Sequence, residues 1–256
     1  MTLIGLLILG VFGLMVGSFL NVCISRLPAG ESIVTPRSHC RSCGAAIQWY
    51  DNVPLISYLV LGGRCRACRA PIGWRYPVIE FSTAAAFVIQ GMAHGDDVPL
   101  LTSRLVFTAL LIALFGTDLE TQRLPNILTL PGILVGFVLS LFMPPDPWAS
   151  LGGMLLGAGA LFVIRWAWFR ATGVEGMGLG DVKMAGLIGA FLGPRQVWLV
   201  LLLASVGGAV VGIVLSLVRG RSLHSRLPFG TFLAAAAFIA SVFGDRIVSW
   251  YLDFYR

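Results

Sequence analysis

The chain has 256 residues, of which 57% are hydrophobic and only 12% charged, and its net charge is +6. A soluble domain is usually about one quarter charged, so this chain has too few polar residues to cover a surface that faces water. The composition excludes a soluble enzyme, a disordered linker, a collagen-like fibre and a disulfide-rich secreted module. It predicts an all-α polytopic membrane protein.

Eight apolar segments follow one another along the chain, and each is close to the ~20 residues that a membrane-spanning helix needs. Proline, glycine or charged residues bound each segment. The sixth is short and rich in glycine, so a re-entrant element is an alternative there, and totals of seven or six spans are the alternatives for the whole chain. The predicted spans are 3–22, 77–93, 99–117, 127–143, 151–168, 176–192, 197–218 and 229–248.

Basic residues indicate the orientation of these spans, because lysine and arginine collect in loops on the cytosolic side. If the N-terminus lies outside, 14 of the 18 basic residues fall on the inner side and 4 on the outer side. Both termini are therefore expected to face outward. Residues 3–22 do not resemble a cleavable signal peptide, because no basic stretch precedes them. Arg104, near the start of the third span, is expected to reach the interface by snorkelling. The inner set is Arg26, Arg37, Arg41, Arg64, Arg66, Arg69, Arg75, Arg123, Arg165, Arg170, Lys183, Arg219, Arg221 and Arg226; the outer set is Arg104, Arg195, Arg246 and Arg256.

Residues 26–76 form a predicted cytosolic insert, resembling a small zinc ribbon, that contains four of the five cysteines. These form two CxxC pairs, Cys40 with Cys43 and Cys65 with Cys68, separated by 21 residues. Four thiolates on two tight turns suit a tetrahedral Zn²⁺ site, and such a closed shell leaves no position for catalysis. An insert of this size is too small to be stabilised by burial of a hydrophobic core alone, and a structural zinc supplies the additional stabilisation. The alternative is two redox-active or unpaired dithiols, although a reducing cytosol disfavours stable disulfides.

Two of the acidic residues lie at the ends of predicted spans, where a carboxylate is costly and usually functional. Asp118 ends the third span and Asp181 opens the sixth. The topology above places both near the cytosolic face, at the same depth. Two carboxylates that share one site can act as general base toward a water and general acid toward a carbonyl. The alternatives are an interfacial carboxylate at Asp118 and, at Asp181, a charge favoured by the helix dipole and close to Lys183.

Gly178 and Gly180 precede Asp181, and without a Cβ they allow a neighbouring helix or an extended peptide to approach closely. Gly178-Leu179-Gly180-Asp181 resembles the GxGD signature of intramembrane aspartyl proteases. Residues 176–193 resemble the second catalytic segment of the type IV prepilin leader peptidases, and Asp118 with the residues after it resembles the first. Matches run in order along almost the whole chain. The other matching stretches are 17–22 with 26–28, 51–58, 62–65, 75–77 with Glu80, 124–125 with 128–131, and 227–230.

The resemblance implies a bifunctional enzyme of the bacterial cytoplasmic membrane. Such peptidases remove the short basic leader of prepilins and pseudopilins after a glycine, on the cytosolic side, and then N-methylate the new terminal residue with S-adenosylmethionine. Asp118 and Asp181 match the catalytic aspartates, with Gly178, Gly180 and Lys183 in the supporting segment. Proteolysis by two carboxylates is expected to need no metal, and no nucleic-acid partner is expected.

The resemblance also ties the cysteine insert to methyl transfer. The chain would then comprise a first transmembrane helix at 1–25, the four-cysteine insert at 26–76, and a helix bundle at 77–256 that carries the protease site. Departures from the family pattern are small: no proline follows Cys40, Thr117 replaces an aliphatic residue and Asn126 replaces an aspartate. The candidates for methyl transfer by this resemblance are Gly63, Gly17, Asn21, Arg26, Arg75 and Glu80.

Two other classes of protein use the same features differently. A secondary transporter could use Asp118 and Asp181 as an ion relay at broken helices. That interpretation predicts inverted repeats, and the two halves of the chain show no evident repeat. A zinc-stapled membrane scaffold of a pilus or secretion assembly would need neither aspartate. The sequence contains no glycine-rich nucleotide loop that would mark a site for S-adenosylmethionine.

Overall fold

The computed structural model describes residues 1–219 and 228–254. Arg221, Arg226 and Arg256 of the charge analysis and Leu227 of the C-terminal motif lie outside the described residues. Within these ranges the chain forms eight α-helices, two short 3-10 helices and two isolated β-bridges. The helices are α1 (Leu3–Arg26), α2 (Ile56–Val60), α3 (Arg75–His94), α4 (Val98–Thr121), α5 (Asn126–Leu139), α6 (Pro147–Thr172), α7 (Leu179–Arg219) and α8 (Phe229–Asp253).

Five helices in the described part of the chain are long and apolar enough to cross a membrane, and α5 is a shorter apolar helix. The predicted all-helical membrane fold is therefore confirmed at this level. The predicted sixth and seventh spans both lie within α7, and the second and fourth fall in α3 and α5. The count of eight spans stays a prediction. The five segments are Leu3–Ala29, Val98–Thr121, Pro147–Thr172, Leu179–Val218 and Phe229–Asp253.

The chain forms two compact units, residues 1–101 and 102–256. In the first unit, α1 and α3 pack closely because glycines on α1 face the backbone of α3. A Cβ at Gly17 would lie only 2.7 Å from the Glu80 Cα, and one at Gly13 only 2.6 Å from the Ala84 Cα. Gly13 and Gly17 are one turn apart on α1, and the residues they face occur in the opposite order on α3. The two helices are therefore antiparallel, and residues 27–74 connect their ends.

In the second unit, α7 is interrupted at Gly193, whose φ of 75° and ψ of 174° are not helical. Pro194 follows and has no N–H to donate to the preceding turn. A straight helix of 41 residues would be about 60 Å long, twice the hydrocarbon thickness of a bilayer. The break divides α7 into a first arm, residues 179–192, and a second arm, residues 194–219.

Glycines of α6 show how the first arm packs. A Cβ at Gly153 would meet the Gly189 carbonyl, and one at Gly157 would meet the Ala185 carbonyl. Four residues forward in α6 correspond to four residues back in α7, so α6 and the first arm are antiparallel. Val197 of the second arm also lies 3.4 Å from the Cβ position of Gly157. The second arm therefore returns past the same part of α6.

The second arm also runs against α8. Just after the break, Gln196 Nε2 donates to Asp245 Oδ1 at 2.9 Å, toward the end of α8. Three turns later, Gly208 lies beside Phe232, at the start of α8. The second arm and α8 are thus antiparallel, and α7 as a whole is a helical hairpin rather than one rod.

Two side chains bind the backbone carbonyls next to the break. Ser150 Oγ donates to the Ala190 carbonyl at 2.9 Å, and Arg104 Nη1 donates to the Phe191 carbonyl at 3.1 Å. In a regular helix the Ala190 carbonyl would accept the N–H of residue 194, which is absent because that residue is a proline. Arg104 is only 7% exposed. The prediction that it snorkels to the interface is wrong, because the Phe191 carbonyl holds its guanidinium inside the second unit.

We expect Gly193→Ala to destabilise the protein by about 1–3 kcal/mol, because a side chain strongly disfavours this backbone conformation. The added Cβ would also lie 3.3 Å from Pro145. The matched control is Gly159→Ala in α6, where a Cβ would meet nothing within 4 Å. That change is expected to leave stability equal or slightly higher. Thermal unfolding in detergent micelles measures both, and equal midpoints for the two variants would contradict the account of the break.

Candidate active site and cysteine cluster

Asp118 lies in the last turn of α4 and is buried, with 4% exposure. Its Oδ2 accepts a hydrogen bond of 2.8 Å from the backbone N–H of Thr231. The backbone N–H of Gly230 also donates to this carboxylate. Both donors belong to the first turn of α8. The side chain at the end of α4 therefore binds the N-terminus of α8.

The start of α8 explains this contact. The first N–H groups of a helix have no partner inside the helix, and a side chain at the N-cap usually accepts one. The N-cap of α8 is Pro228, which makes no such bond. A carboxylate suits the vacant position, because N–H groups and the helix dipole both favour an anion there. Gly230 leaves room for it: a Cβ would lie 2.8 Å from Asp118 Oδ2.

Asp181 is the third residue of α7 and is partly exposed. The backbone N–H of Gly178, immediately before the helix, donates to its carboxylate. A side chain at the third position that binds back to the N-cap N–H is half of a capping box. Both aspartates thus lie at helix N-termini, Asp181 at that of its own helix and Asp118 at that of α8. The two carboxylates are close enough to interact electrostatically.

Leu124, in the turn after α4, lies between the two helix starts. A Cβ at Gly180 would lie 2.9 Å from the Leu124 Cβ, and one at Gly230 would lie 3.2 Å from its Cδ1. Gly180 and Gly230 therefore both pack against the side chain of Leu124. Gly178 differs, because the nearest atom to its Cβ position is Asp181 Oδ2 at 3.5 Å. Gly180 serves helix packing, whereas Gly178 is exposed.

Residues of α6 hold the loop that precedes Asp181. Arg165 Nε donates to the Met177 carbonyl at 3.0 Å, and its Nη2 lies 2.6 Å from Glu175 Oε1. A Cβ at Gly176 would lie 2.6 Å from the ring of Trp168. The sequence interpretation missed both α6 residues. Their spacing of one helical turn is the signal that places them on one face.

Lys183, the third supporting residue named from the sequence, binds α5 and not an aspartate. Its Nζ donates to Asn126 Oδ1 at 2.8 Å. Asn126 begins α5, so this bond ties the first turn of α5 to the first turn of α7. An amide oxygen accepts this bond as a carboxylate would, which explains how asparagine can stand where the family pattern has aspartate.

Most candidates for methyl transfer lie where α1 ends and α3 begins. Asn21 Nδ2 donates to the Tyr76 carbonyl at 3.0 Å, one turn from the contact between Gly17 and Glu80. Glu80 is buried, and its Oε2 accepts the backbone N–H of Leu55 at 2.8 Å. Asn21 is also buried, and its Oδ1 accepts no hydrogen bond. These contacts form one polar group in the first unit.

The two arginine candidates make contacts of their own in the same unit. Arg26 Nη1 donates to the Ser32 carbonyl at 2.9 Å, and Arg75 Nη2 donates to Ser25 Oγ at 2.7 Å. Arg75 also lies over the Tyr76 ring, 4.8 Å from its centroid. Both arginines thus fasten the end of α1 to the segments that follow it or pack on it.

The four cysteines of the insert come together. The Sγ atoms of Cys40, Cys43, Cys65 and Cys68 lie within 4.8 Å of one another, and none is in a disulfide. The Sγ atoms of Cys40 and Cys68 are 3.8 Å apart. A tetrahedral ion with Zn–S bonds of about 2.3 Å places its sulfurs about 3.8 Å apart. The donor set and spacing therefore fit one zinc ion.

The two CxxC turns have the same backbone structure. In each, the first cysteine donates its N–H to the carbonyl five residues later, and the N–H four residues later donates to the cysteine carbonyl, all at 2.8–3.0 Å. Gly44 and Arg69 close the turns with φ of 71° and 61°. The backbone N–H groups of Cys43 and Ser42 donate to the Cys40 sulfur and lower its pKa to about 6. The first turn therefore favours the thiolate that a metal requires at Cys40. In the second turn, the Ala70 N–H lowers the pKa of Cys68, but hydrogen bonding with the other cysteines, Cys43 first, raises it to about 11.

Other groups fix the second turn within the insert. Asp51 binds Arg66 through both carboxylate oxygens, at 2.6 and 2.8 Å. The pair lowers the pKa of Asp51 and raises that of Arg66, mainly through the hydrogen bonds. Gly63 has a φ of 65°, and a Cβ there would lie 3.0 Å from the Tyr58 ring. A side chain at Gly63 would therefore disturb the turn before Cys65 through both strain and contact.

Comparisons with known proteins show the family of the chain. Residues 11–94 match the bacterial peptidase A24 N-terminal domain, and residues 105–213 match the type IV leader peptidase family. A protein of Aeromonas hydrophila is 39% identical over 94% of this chain and 91% of its own length. Proteins of Pseudomonas putida and Pseudomonas aeruginosa are 38% and 36% identical, over 93% and 94% of this chain and 90% and 91% of their own lengths. Each is named prepilin leader peptidase/N-methyltransferase.

The chain therefore belongs to the type IV leader peptidase family. No solved structure matches it.

We expect Gly230→Ala to lower leader-peptide cleavage by tenfold or more, because the methyl group would displace the Asp118 carboxylate. The sequence predicts that this carboxylate is catalytic, and a small misplacement of a reacting group costs up to about 100-fold. The control is Gly207→Ala, whose Cβ would lie 3.7 Å from the Phe232 ring, an ordinary contact. Cleavage of a prepilin by purified variants at equal folded concentration measures the effect. Wild-type cleavage by Gly230→Ala would show that the contact with α8 does not matter.

Proposed function

We propose that Asp118 and Asp181 are the catalytic pair of this prepilin leader peptidase, which also N-methylates the mature N-terminus. The observation that carries the proposal is that both carboxylates lie at helix N-termini that pack against Leu124, and that the two carboxylates interact electrostatically. Backbone N–H groups hold one face of each carboxylate, which leaves the other oxygens for the reaction.

The chemistry follows from two carboxylates and one water. One aspartate, as the ionised base, takes a proton from the water, whose oxygen bonds to the scissile carbonyl carbon. The other, in its acid form, gives a proton to the carbonyl oxygen. The tetrahedral intermediate then breaks its C–N bond, and the amine leaves with the proton that the first aspartate took from the water. The second aspartate takes a proton back from one hydroxyl of the intermediate, which yields the new carboxyl group and restores the acid form. This route needs no metal.

The substrate would enter as an apolar helix with its basic leader in the cytosol, and cleavage would follow a glycine. The bond must leave its helical form, because the backbone of a helix is shielded from attack. Gly178 is exposed beside Asp181 and has room near its Cα. An extended segment of the substrate fits there. At Gly180, in contrast, the Leu124 side chain fills the space next to the Cα, so a substitution at Gly180 would act through helix packing.

The proposed topology has eight spans in the bacterial inner membrane, with the N-terminus outside and the active site toward the cytosol. Support comes from the two arms of α7, which run in opposite directions, and from the distribution of arginine and lysine. The remaining spans would be α1, α3, α4, α5, α6 and α8. Asp118 at the end of α4 and Asp181 at the start of α7 then share one depth.

The cysteine insert is proposed to bind a structural Zn²⁺ and to serve methyl transfer. S-adenosylmethionine, when bound, supplies the methyl group that the new terminal amine receives. On this side of the reaction, the chain offers the polar group around Asn21 and Glu80, whose free acceptor oxygen and carboxylate suit an amine. Residues 1–25, 26–76 and 77–256 would then be the first helix, the insert and the protease bundle.

Neither alternative class is favoured. The relatives that share nearly the full length of this chain are named for peptidase and methyltransferase activity.

We expect Asp118→Asn and Asp181→Asn each to abolish leader cleavage, because an amide can neither accept the proton of a water nor donate one as an acid. N-methylation of a mature pilin peptide is expected to persist in both variants. The assay uses purified protein, a prepilin and the corresponding mature peptide. Cleavage that survives either change removes the proposed mechanism, and loss of both activities together would point to misfolding.

We expect Cys65→Ser, or a strong chelator, to release the zinc and to impair methylation before cleavage. A structural zinc contributes folding free energy directly, so the insert should lose its structure without it. Cys23→Ser is the control, because Cys23 is buried in α1 outside the cluster. Metal analysis should find one zinc per chain in the control and none in Cys65→Ser. A metal-free wild type, or parallel loss of both activities, would contradict this division.

A further inference from the structure

Arg104 is a buried cation inside a predicted span, and the proposed chemistry does not use it. Such residues are costly in a membrane and usually serve a function. Its Nη1 binds the Phe191 carbonyl at 3.1 Å, and its charge interacts with the Asp245 carboxylate. Its Nε has no hydrogen-bond partner. The cost of this burial calls for a role beyond simple packing.

The hydrogen bond from Arg104 to the Phe191 carbonyl connects the two helices that carry the proposed catalytic pair. Arg104 lies on α4, which ends with Asp118, and Phe191 lies on the first arm of α7, which begins with Asp181. α4 and the first arm therefore meet at both ends, through the aspartates at one and through Arg104 at the other.

The lengths of the two segments agree with a bond that fixes their register. From Arg104 to Asp118, α4 rises about 21 Å, whereas from Asp181 to Phe191 the first arm rises about 15 Å. The long arginine side chain is able to bridge a difference of about 6 Å. A shorter side chain at this position would lose the hydrogen bond to the Phe191 carbonyl that joins the first arm to α4.

We propose that Arg104 is a positioning residue for peptide cleavage: by holding the carbonyl beside the break in α7, it sets the axial position of Asp181 relative to Asp118. The inference rests on the proposed function of the two aspartates. It concerns the register of the helices that carry them, and Arg104 itself touches neither substrate nor reacting atoms.

Ser150 provides the matched comparison, because it binds the adjacent carbonyl. Its Oγ donates to the Ala190 carbonyl at 2.9 Å, but it belongs to α6, which carries no catalytic residue. If the break only needs its carbonyls satisfied, loss of either donor should have the same effect. If Arg104 sets the register of α4 against α7, only its loss should slow the chemical step.

The experiment compares Arg104→Met, Arg104→Lys and Ser150→Ala in the full-length protein in lipid nanodiscs. We expect Arg104→Met to lower kcat for prepilin cleavage by about tenfold or more, with KM changed by less than about twofold, because misplaced groups affect chemistry more than binding. Arg104→Lys keeps a charged donor and is expected to restore kcat to within about threefold. Ser150→Ala is expected to lower the thermal midpoint while keeping kcat within about twofold.

The outcomes separate the two levels of the argument. Wild-type kcat in Arg104→Met, or equal losses of kcat in Arg104→Met and Ser150→Ala, would overturn the role of Arg104 and leave the catalytic pair in place. Cleavage by Asp118→Asn would instead overturn the pair itself. If Arg104→Met does not fold, Arg104→Gln replaces it: its amide still donates but is too short for the same span. The same loss of kcat then supports the inference, and full kcat refutes it.

Discussion

The structure of the second unit depends on how two carboxylates meet the N-termini of helices. A helix starts with N–H groups that need acceptors, and a buried helix end without them is unfavourable. Asp118 fills this need for α8, which starts at a proline and has no side-chain cap of its own. Asp181 fills it at the start of α7. The groups proposed for catalysis are thus also the groups that satisfy the backbone, which ties the correct fold of these helix starts to the presence of the pair.

Glycines then determine how closely the surrounding helices approach, because a Cβ at Gly230 or Gly180 would collide with a carboxylate or with Leu124. Small residues that admit close helix contacts are the usual means of packing in membranes, where apolar burial gives little drive.

Much of this arrangement could be predicted from the sequence. The two CxxC pairs predict a cluster of four sulfurs. The predicted topology places Asp118 and Asp181 at one depth and so predicts that they lie close together. The contact between Asp118 and α8 could not be predicted, because its donors are backbone N–H groups of Gly230 and Thr231, which have no side-chain signature. Pro228 and Gly230 beside these donors are the nearest signal in the sequence. Pro228 provides no side-chain cap for α8, and Gly230 leaves space for the Asp118 carboxylate.

Arg104 shows a second limit of sequence reasoning. Its position near the start of a predicted span favours snorkelling, and only the broken α7 reveals a carbonyl within reach. The break itself is visible as Gly193-Pro194, yet which helix would supply donors to it depends on the direction of both arms. Arg165 was missed for the same reason, since its partner is the Met177 carbonyl. Side chains that bind backbone leave no pairing pattern along a chain.

Proximity of positions 118 and 181 is the central claim, and cross-linking tests it most directly. Asp118→Cys and Asp181→Cys are combined in a Cys23→Ala background. The four cysteines of the insert are retained, and zinc is added to protect them from the thiol reagent. A short bifunctional thiol reagent is applied to native membranes, and linked peptides are detected by mass spectrometry. The account predicts rapid linkage of this pair and none in the matched pair of Asp118→Cys with Arg195→Cys, which lies beyond the break in α7. Linkage no faster than in that control would contradict it.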